Sequence, residues 1–303
     1  MQGRHKTHWL VAALLTLVAA MGLSGCGQAA APQAKGLQIV ASVDFYADVA
    51  RAVVGDHGTV TAVINRPDID PHDYEPTVNV AKTVAKAQIV IQNGAGYDDW
   101  MNRLLAADDT GITKVTAAKV VGIKDGDNEH VWYKPDVMPK LARALAVACS
   151  KQDPQHKAAY VKNAAAYIRS LKPLTAKIAA LKKGAAGQAV AVSEPVFDNA
   201  LNAMGYRIVN NHFAQAIEEG TDPSPADIRE LEAAIAAGKL AFFVQNTQAE
   251  SKVVTNIVKK VRAAKIPVLK VTETMPANAT YTSWMMQQYN ALAKIQRDHN
   301  GGN

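Results

Sequence analysis

Leu37-Gln38-Ile39-Val40-Ala41-Ser42 is the stretch on which the fold turns. A short apolar strand, Leu37 to Ala41, runs into Ser42. A helical pattern follows over Phe45 to Val54, Gly55 and Gly58 supply a turn, and Thr59 to Ile64 is strand-like again. Apolar runs of this length, separated by a helical period and turn glycines, predict a β–α–β unit. The same order returns later in the chain. Ala189 to Val192 is followed by Ser193, a helical pattern over Val196 to Ala203, Gly205 and a strand at Tyr206 to Val209. A second pair of segments behaves alike. Ala87 to Ile91 ends in Gln92-Asn93 before a helix near Asp98 to Leu105, and Leu240 to Val244 ends in Gln245-Asn246 before a helix over Ala249 to Ala264. Ser42 and Ser193 are 151 residues apart, and Gln92 and Gln245 are 153 apart. Offsets this similar predict a weak structural duplication, with chance matching of short βα units as the alternative. Strands alternating with helices predict parallel sheets. The fold class expected is α/β, with two pseudo-symmetric parallel-sheet lobes and a ligand cleft outside the carboxyl ends of their strands.

Between the halves, Pro154 to Lys183 carries Tyr160, Ala164, Tyr167, Ile168, Leu171, Leu174, Ile178 and Leu181 at helical spacing. Asp153 is placed to cap this helix, with Pro154 at its first turn. Gly184 and Gly187 end it. At 1.5 Å per residue it spans roughly 45 Å, a rigid strut with Pro173 as its one expected kink. The domains expected are an N-terminal lobe over 37–152, a linking helix over 153–184, and a C-terminal lobe over 185–303 with a final helix at Ser283 to Gln296.

The N-terminus has a different character. Arg4 and Lys6 precede an apolar run from Trp9 to Leu23, too short to span a bilayer comfortably. The run closes on Leu23-Ser24-Gly25-Cys26, the pattern of a lipoprotein signal. Residues 1–25 are expected to be removed, and Cys26 to become the lipidated first residue. Residues 26–36, rich in Ala, Gln and Pro, follow as a flexible tether. Loss of Arg4 and Lys6, with no acid, takes the formal charge of the 303-residue chain from +6 to +4. Two cysteines exclude a disulfide scaffold and any Cys₄ metal site. Cys149, in an Ala/Leu helical pattern, is expected to be buried without a partner. The chain is therefore read as extracytoplasmic and held to a membrane by lipid.

Six histidines remain after the signal: His57, His72, His130, His156, His212 and His299. His72 stands apart in Asp70-Pro71-His72-Asp73-Tyr74-Glu75-Pro76, a proline-stiffened loop after a strand, with carboxylates near enough to orient the ring. His130 lies in a second proline-bounded, aromatic loop, Glu129-His130-Val131-Trp132-Tyr133-Lys134-Pro135. Glu194 and Glu273 each follow a strand of the second half. Two imidazoles from one half and two carboxylates from the other form a mixed nitrogen–oxygen set for a divalent ion, whose charge the carboxylates balance.

These segments resemble the metal-binding lipoproteins of bacterial zinc and manganese ABC transporters, the cluster A-I solute-binding proteins. The resemblance covers roughly residues 37–296. Asp70 to Pro76 resembles the family's Asp-Pro-His-x-Tyr-Glu-Pro loop. Tyr97 to Leu105, with Trp100, resembles the helix before its second histidine. Ser193-Glu194-Pro195-Val196-Phe197 resembles the third-ligand segment, Pro223-Ser224-Pro225 a helix start, and Thr272-Glu273-Thr274 the position of the last carboxylate, usually Asp. Asn128-Glu129-His130 departs from the family's Asp-Pro-His, and Lys134 stands where that loop carries another Asp. The His/Asp-rich loop of many zinc-specific members is also missing between residues 105 and 130.

The resemblance implies two α/β lobes joined by a long backbone helix. One divalent ion would lie in the interlobe cleft as cargo, on His72, His130, Glu194 and Glu273, and pass to an ABC transporter permease. The oxygen-rich ligand set favours Mn²⁺ or Fe²⁺ over Zn²⁺, although Zn²⁺ binds most such sites more tightly. No catalytic residue and no resident cofactor is expected, and the protein is expected to act as a monomer. Nucleic acid is excluded as a partner by export. A metallohydrolase would need an open metal position and a pattern such as His-Glu-x-x-His, which the chain lacks. A surface adhesin role is the other alternative.

Overall fold

The computed structural model describes residues 36–107, 111–249 and 251–300. The expected signal, the lipidation site Cys26 and the tether up to residue 35 lie outside the described residues. From Gly36 onward the described chain forms one compact unit.

Four strands come from the first half: β1 (Leu37–Val43), β2 (Gly58–Ile64), β3 (Ile89–Gln92) and β4 (Thr113–Thr116). They form a parallel sheet in the order β2-β1-β3-β4. The second half supplies β5 (Ala189–Val192), β6 (Arg207–Ile208), β7 (Phe243–Asn246) and β8 (Val268–Val271). Their order is β6-β5-β7-β8, again all parallel. The two sheets thus have one topology, as the similar offsets in sequence predict. In each sheet the order reverses beside the first strand, which places the switch point at the carboxyl ends of β1 and β3 and of β5 and β7.

Helices of the first half are α1 (Asp44–Val54), α2 (Val78–Val84), α3 (Asp99–Ala107), α4 (Ala117–Val120) and α5 (Val137–Gln152). Phe45, Val49 and Val53, four residues apart, put one stripe of α1 into the core. Gly55 ends α1 at φ 55°, a conformation that costs glycine little.

The linking segment is helical but not one helix. A 3₁₀ turn (Pro154–His156) leads into α6 (Lys157–Ser170), and α7 (Lys172–Ala185) starts after a break at Leu171. Pro173 explains the break. It has no N–H to donate, so the chain restarts with proline in the first turn of a new helix, where that donor is not needed. Asp153 does not cap the segment either. Its carboxylate accepts from Tyr160 Oη at 2.6 Å and pairs with His156 Nδ1 at 2.6 Å.

The second half adds α8 (Asp198–Met204), α9 (Asn211–Glu218), α10 (Pro225–Ala236), α11 (Lys252–Ala263) and α12 (Tyr281–Asn300). Ser224 caps α10, its hydroxyl accepting from the Asp227 amide at 3.2 Å, with Pro225 in the first turn. Alternate residues of the second sheet face two cores. Val190 and Val192 belong to a core continuous with the first lobe, while Ala191 and Phe243 pack with Leu231, Ile257 and Val261 of α10 and α11.

The shared core is aromatic. Phe45, Trp132 and Tyr133 of the first half meet Phe197 and Trp284 of the second. Ring centroids are 4.9 Å apart for Phe45–Trp132, 5.7 Å for Phe45–Trp284 and 5.0 Å for Tyr133–Phe197. The start of α12 reaches back across the boundary: the Tyr281 amide donates to Asp48 at 3.2 Å and its hydroxyl to the Trp132 carbonyl at 2.7 Å. The lobes are therefore packed against each other, not tethered by the linking helices alone.

Candidate metal centre

His72 is held by its own loop. Its amide donates to Asp70 Oδ1 at 2.8 Å, and Trp100 Nε1 of α3 donates to the Pro71 carbonyl at 3.1 Å. The ring stands edge-on to Tyr97, with centroids 4.9 Å apart.

His130 is fully buried. Asn128 Oδ1 accepts its backbone amide at 2.9 Å and lies 3.3 Å from its ring Nδ1. Asn199 Nδ2 donates to the same oxygen at 3.1 Å, while Asn128 Nδ2 donates to the Pro195 carbonyl at 2.8 Å. That network fixes which end of the amide is oxygen. An oxygen facing Nδ1 requires the proton to be on Nδ1, so Nε2 carries the lone pair. Burial pushes His130 down to about 4, against the pull of Glu218, which keeps the ring neutral. Nε2 itself has no hydrogen-bond partner. Asn128, which replaces the Asp of the resembled loop, thus still orients the imidazole.

Asparagines at matching positions of the two halves do matching work. Asn93, just after β3, donates through Nδ2 to the Glu129 carbonyl at 2.9 Å and supports the His130 loop. Asn246, at the end of β7, donates through Nδ2 to Glu194 Oε2 at 2.8 Å. Burial raises Glu194 to about 7, partly offset by that bond.

Glu273 follows β8, and its amide donates to Gln248 Oε1 at 2.7 Å. Its Oε1 is buried without a hydrogen-bond partner and lies 3.9 Å from His72 Nε2. Burial and then the Glu218 charge raise this carboxyl to about 8. Burial lowers His72, but Glu218, Glu273 and Asp70 outweigh it and push the ring up to about 9.

His72 lies in two groups of candidate ligands, one with His130 and the other with Glu273. Ligand atoms within 4.8 Å of one another are offered by His72, Glu129, His130 and Glu218, and by Asp70, His72 and Glu273. Glu194 falls outside both groups, on Asn246. Glu218 was not singled out in the sequence, where Glu218-Glu219-Gly220 looks like a solvated helix end. Of the two acids, only Glu219 is exposed. Gln248, also missed, joins the two loops: its Nε2 donates to the Pro67 carbonyl and to Thr274 Oγ1, and its Oε1 accepts from the amides of Glu273 and Thr274. No spacing rule points to it.

The remaining described histidines lie elsewhere. His57 and His156 stack on each other with centroids 4.0 Å apart, and the largely exposed His212 is 3.8 Å from Asp227. Cys149 is buried and free, with burial raising its thiol to about 12.

A family model described as zinc-uptake complex component A, periplasmic, matches residues 39–295. The manganese-binding lipoprotein MntA of Halalkalibacterium halodurans is 28% identical over 165 residues, covering 52% of this chain and 55% of its own. The iron-binding protein YfeA of Yersinia pestis is 28% identical over 178 residues, covering 55% and 57%. The chain spans about half the length of the curated relatives it matches. Among solved structures, the SBP FpvC of Pseudomonas aeruginosa, in complex with Mn²⁺, superposes with a TM-score of 0.72 at 22% identity, over 89% of this chain and 100% of that one. At that identity the likeness is one of fold.

Proposed function

This chain belongs to the family of the periplasmic zinc-uptake complex component A, and from that premise we propose that it captures one divalent transition-metal ion between its lobes and delivers it to an ABC transporter permease. His72, His130, Glu194 and Glu273 are the proposed protein ligands. One observation carries the reading: His130 Nε2, a neutral lone-pair nitrogen in a buried site, has no hydrogen-bond partner and faces a cluster of carboxylates and a second imidazole. A buried polar atom left unpaired costs stability. A metal ion removes that cost for His130 Nε2 and for Glu273 Oε1 together.

The cargo fits Mn²⁺ or Fe²⁺ best, with Zn²⁺ next, because two carboxylates join two imidazoles and harder oxygen donors suit Mn²⁺ better than a three-histidine set would. The matching family model is that of a zinc-uptake component, while similar relatives include a manganese-binding lipoprotein and an iron-binding protein, so the order rests on the donor set. The protein is read as a carrier and not an enzyme, since protein donors from both lobes would fill the coordination positions that a reactive water would need. It works outside the cytoplasm as a monomer, held to the membrane by acyl chains on Cys26. Among the described residues no helix is long and apolar enough to cross a membrane. Thermal unfolding with added Mn²⁺, Fe²⁺ and Zn²⁺ tests the reading. Stabilisation by at least one ion is expected through linkage, and no response to any of the three would sink it.

A further inference from the structure

We infer that Glu218, at the last position of α9, is an additional carboxylate ligand of the captured ion and biases the site toward Mn²⁺ and Fe²⁺ over Zn²⁺. This rests on the metal-capture reading and goes beyond the four ligands proposed above.

Glu218 Oε1 lies 3.4 Å from His72 Nε2 and 3.5 Å from His130 Nε2. At metal–ligand distances of roughly 2.0–2.2 Å, neighbouring donors of a tetrahedral site are about 3.4 Å apart. The three atoms therefore stand where three donors around one ion would stand. The contact with His130 is not a hydrogen bond, because Nε2 remains unpartnered. Two lone-pair atoms facing each other at that distance are relieved by a cation or a proton between them, and a divalent ion bridges them without needing the buried His130 to be protonated.

Glu218 is a buried acid at a helix end, held below the usual carboxylate range, against the cost of burial, by its contacts with His72, His130 and Glu129. The carboxyl end of a helix carries partial negative charge and disfavours an acid. The side chain is only 9% exposed, and among the described residues no lysine or arginine pairs with it; its neighbours are His72, raised and cationic, and the neutral His130. Its charge also bears on Glu129, Glu194, Asp198 and Glu273. A divalent cation reverses each of these penalties. Glu129 belongs to the same cluster, but Glu218 is the carboxylate within 4 Å of both imidazole nitrogens.

A third carboxylate makes the donor set richer in oxygen and raises the coordination number available. Mn²⁺ and Fe²⁺ accept that readily, while Zn²⁺ is satisfied by four donors. Without Glu218 the site would hold Zn²⁺ with little loss.

The test compares the full wild-type chain with Glu218→Gln, which keeps shape and removes charge, and with His72→Ala. Mn²⁺ and Zn²⁺ affinities are measured by competition titration, and donor number by X-ray absorption of the Mn²⁺ forms. Glu218→Gln is expected to weaken Mn²⁺ by at least about tenfold, to weaken Zn²⁺ by a smaller factor, and to lose an oxygen donor from the Mn²⁺ spectrum. Wild-type Mn²⁺ affinity in Glu218→Gln, with binding lost in His72→Ala, would overturn the assignment and leave the metal site standing. Equal weakening of both metals with an unchanged donor number would overturn it too. Failure of the wild-type chain to bind either ion would instead remove the reading beneath it.

Discussion

Asn128 Oδ1 accepts the backbone amide of His130 at 2.9 Å and faces the same residue's Nδ1 at 3.3 Å. One amide oxygen thus fixes both the loop and the tautomer. Replacing Asn128 by Ala frees the ring to place its proton on Nε2, where it blocks a metal. Losing an outer partner of this kind costs about 10–100-fold in metal affinity. Asn128→Asp keeps the acceptor and should bind close to wild type. Titration of both variants checks this; equal affinities for Asn128→Ala and wild type would contradict it.

Gln248 supplies the other outer support. Its amide holds the Pro67 carbonyl of the His72 loop and the backbone of Glu273 and Thr274. Gln248→Ala should weaken metal binding by about 10–100-fold while removing no ligand. Gln248→Glu should not rescue it, because a carboxylate cannot donate to the Pro67 carbonyl. Full affinity in either variant would show that the loops hold their positions without this bridge.

Sequence made the lobes legible because parallel strands buried on both faces leave short apolar runs, and their repeat offset survived in Ser42/Ser193 and Gln92/Gln245. His72 and His130 were legible from their proline-bounded loops. Glu218 was not, because burial of a helix-end acid depends on what folds over it, and nothing within α9 records the arrival of His72 and His130 from the other lobe. The break at Leu171 was half legible: Pro173 marked a disturbance, but whether a helix bends or restarts depends on packing. The aromatic core shared by the lobes was likewise hidden, since its members lie up to 239 residues apart, from Phe45 to Trp284.

That shared core predicts cooperative unfolding. Trp284 packs near Phe45 and Tyr133, and its Nε1 donates to Thr272 Oγ1 at 2.7 Å. Trp284→Ala should cost about 3–5 kcal/mol. Denaturant unfolding followed by circular dichroism should show one transition for both lobes in wild type. Two well-separated transitions would contradict a common core.

The acidity of the site gives the metal-free protein a pH signature. His72 is raised from 6.5 to about 9 and Glu273 from 4.5 to about 8, so the folded state holds both protons more tightly than the unfolded chain. Stability from these groups is present at low pH and lost as pH rises through those values. His130, lowered to about 4, acts with the opposite sign but only below 6.5. The melting temperature in chelator should therefore fall between pH 7 and pH 9. Excess Mn²⁺ should offset that fall, since the ion displaces the same protons and its affinity rises with pH. A metal-free melting temperature that climbs over this window would refute the assignment of charges.

Metal counting by mass spectrometry, on chain loaded with Mn²⁺ and then desalted, tests metal capture most directly. The prediction is one ion per wild-type chain, none in His130→Ala or His72→Ala, and one in His212→Ala, whose imidazole lies with Asp227 away from the cleft. An ion retained by the His130→Ala and His72→Ala variants, or none in the wild-type chain, would contradict it.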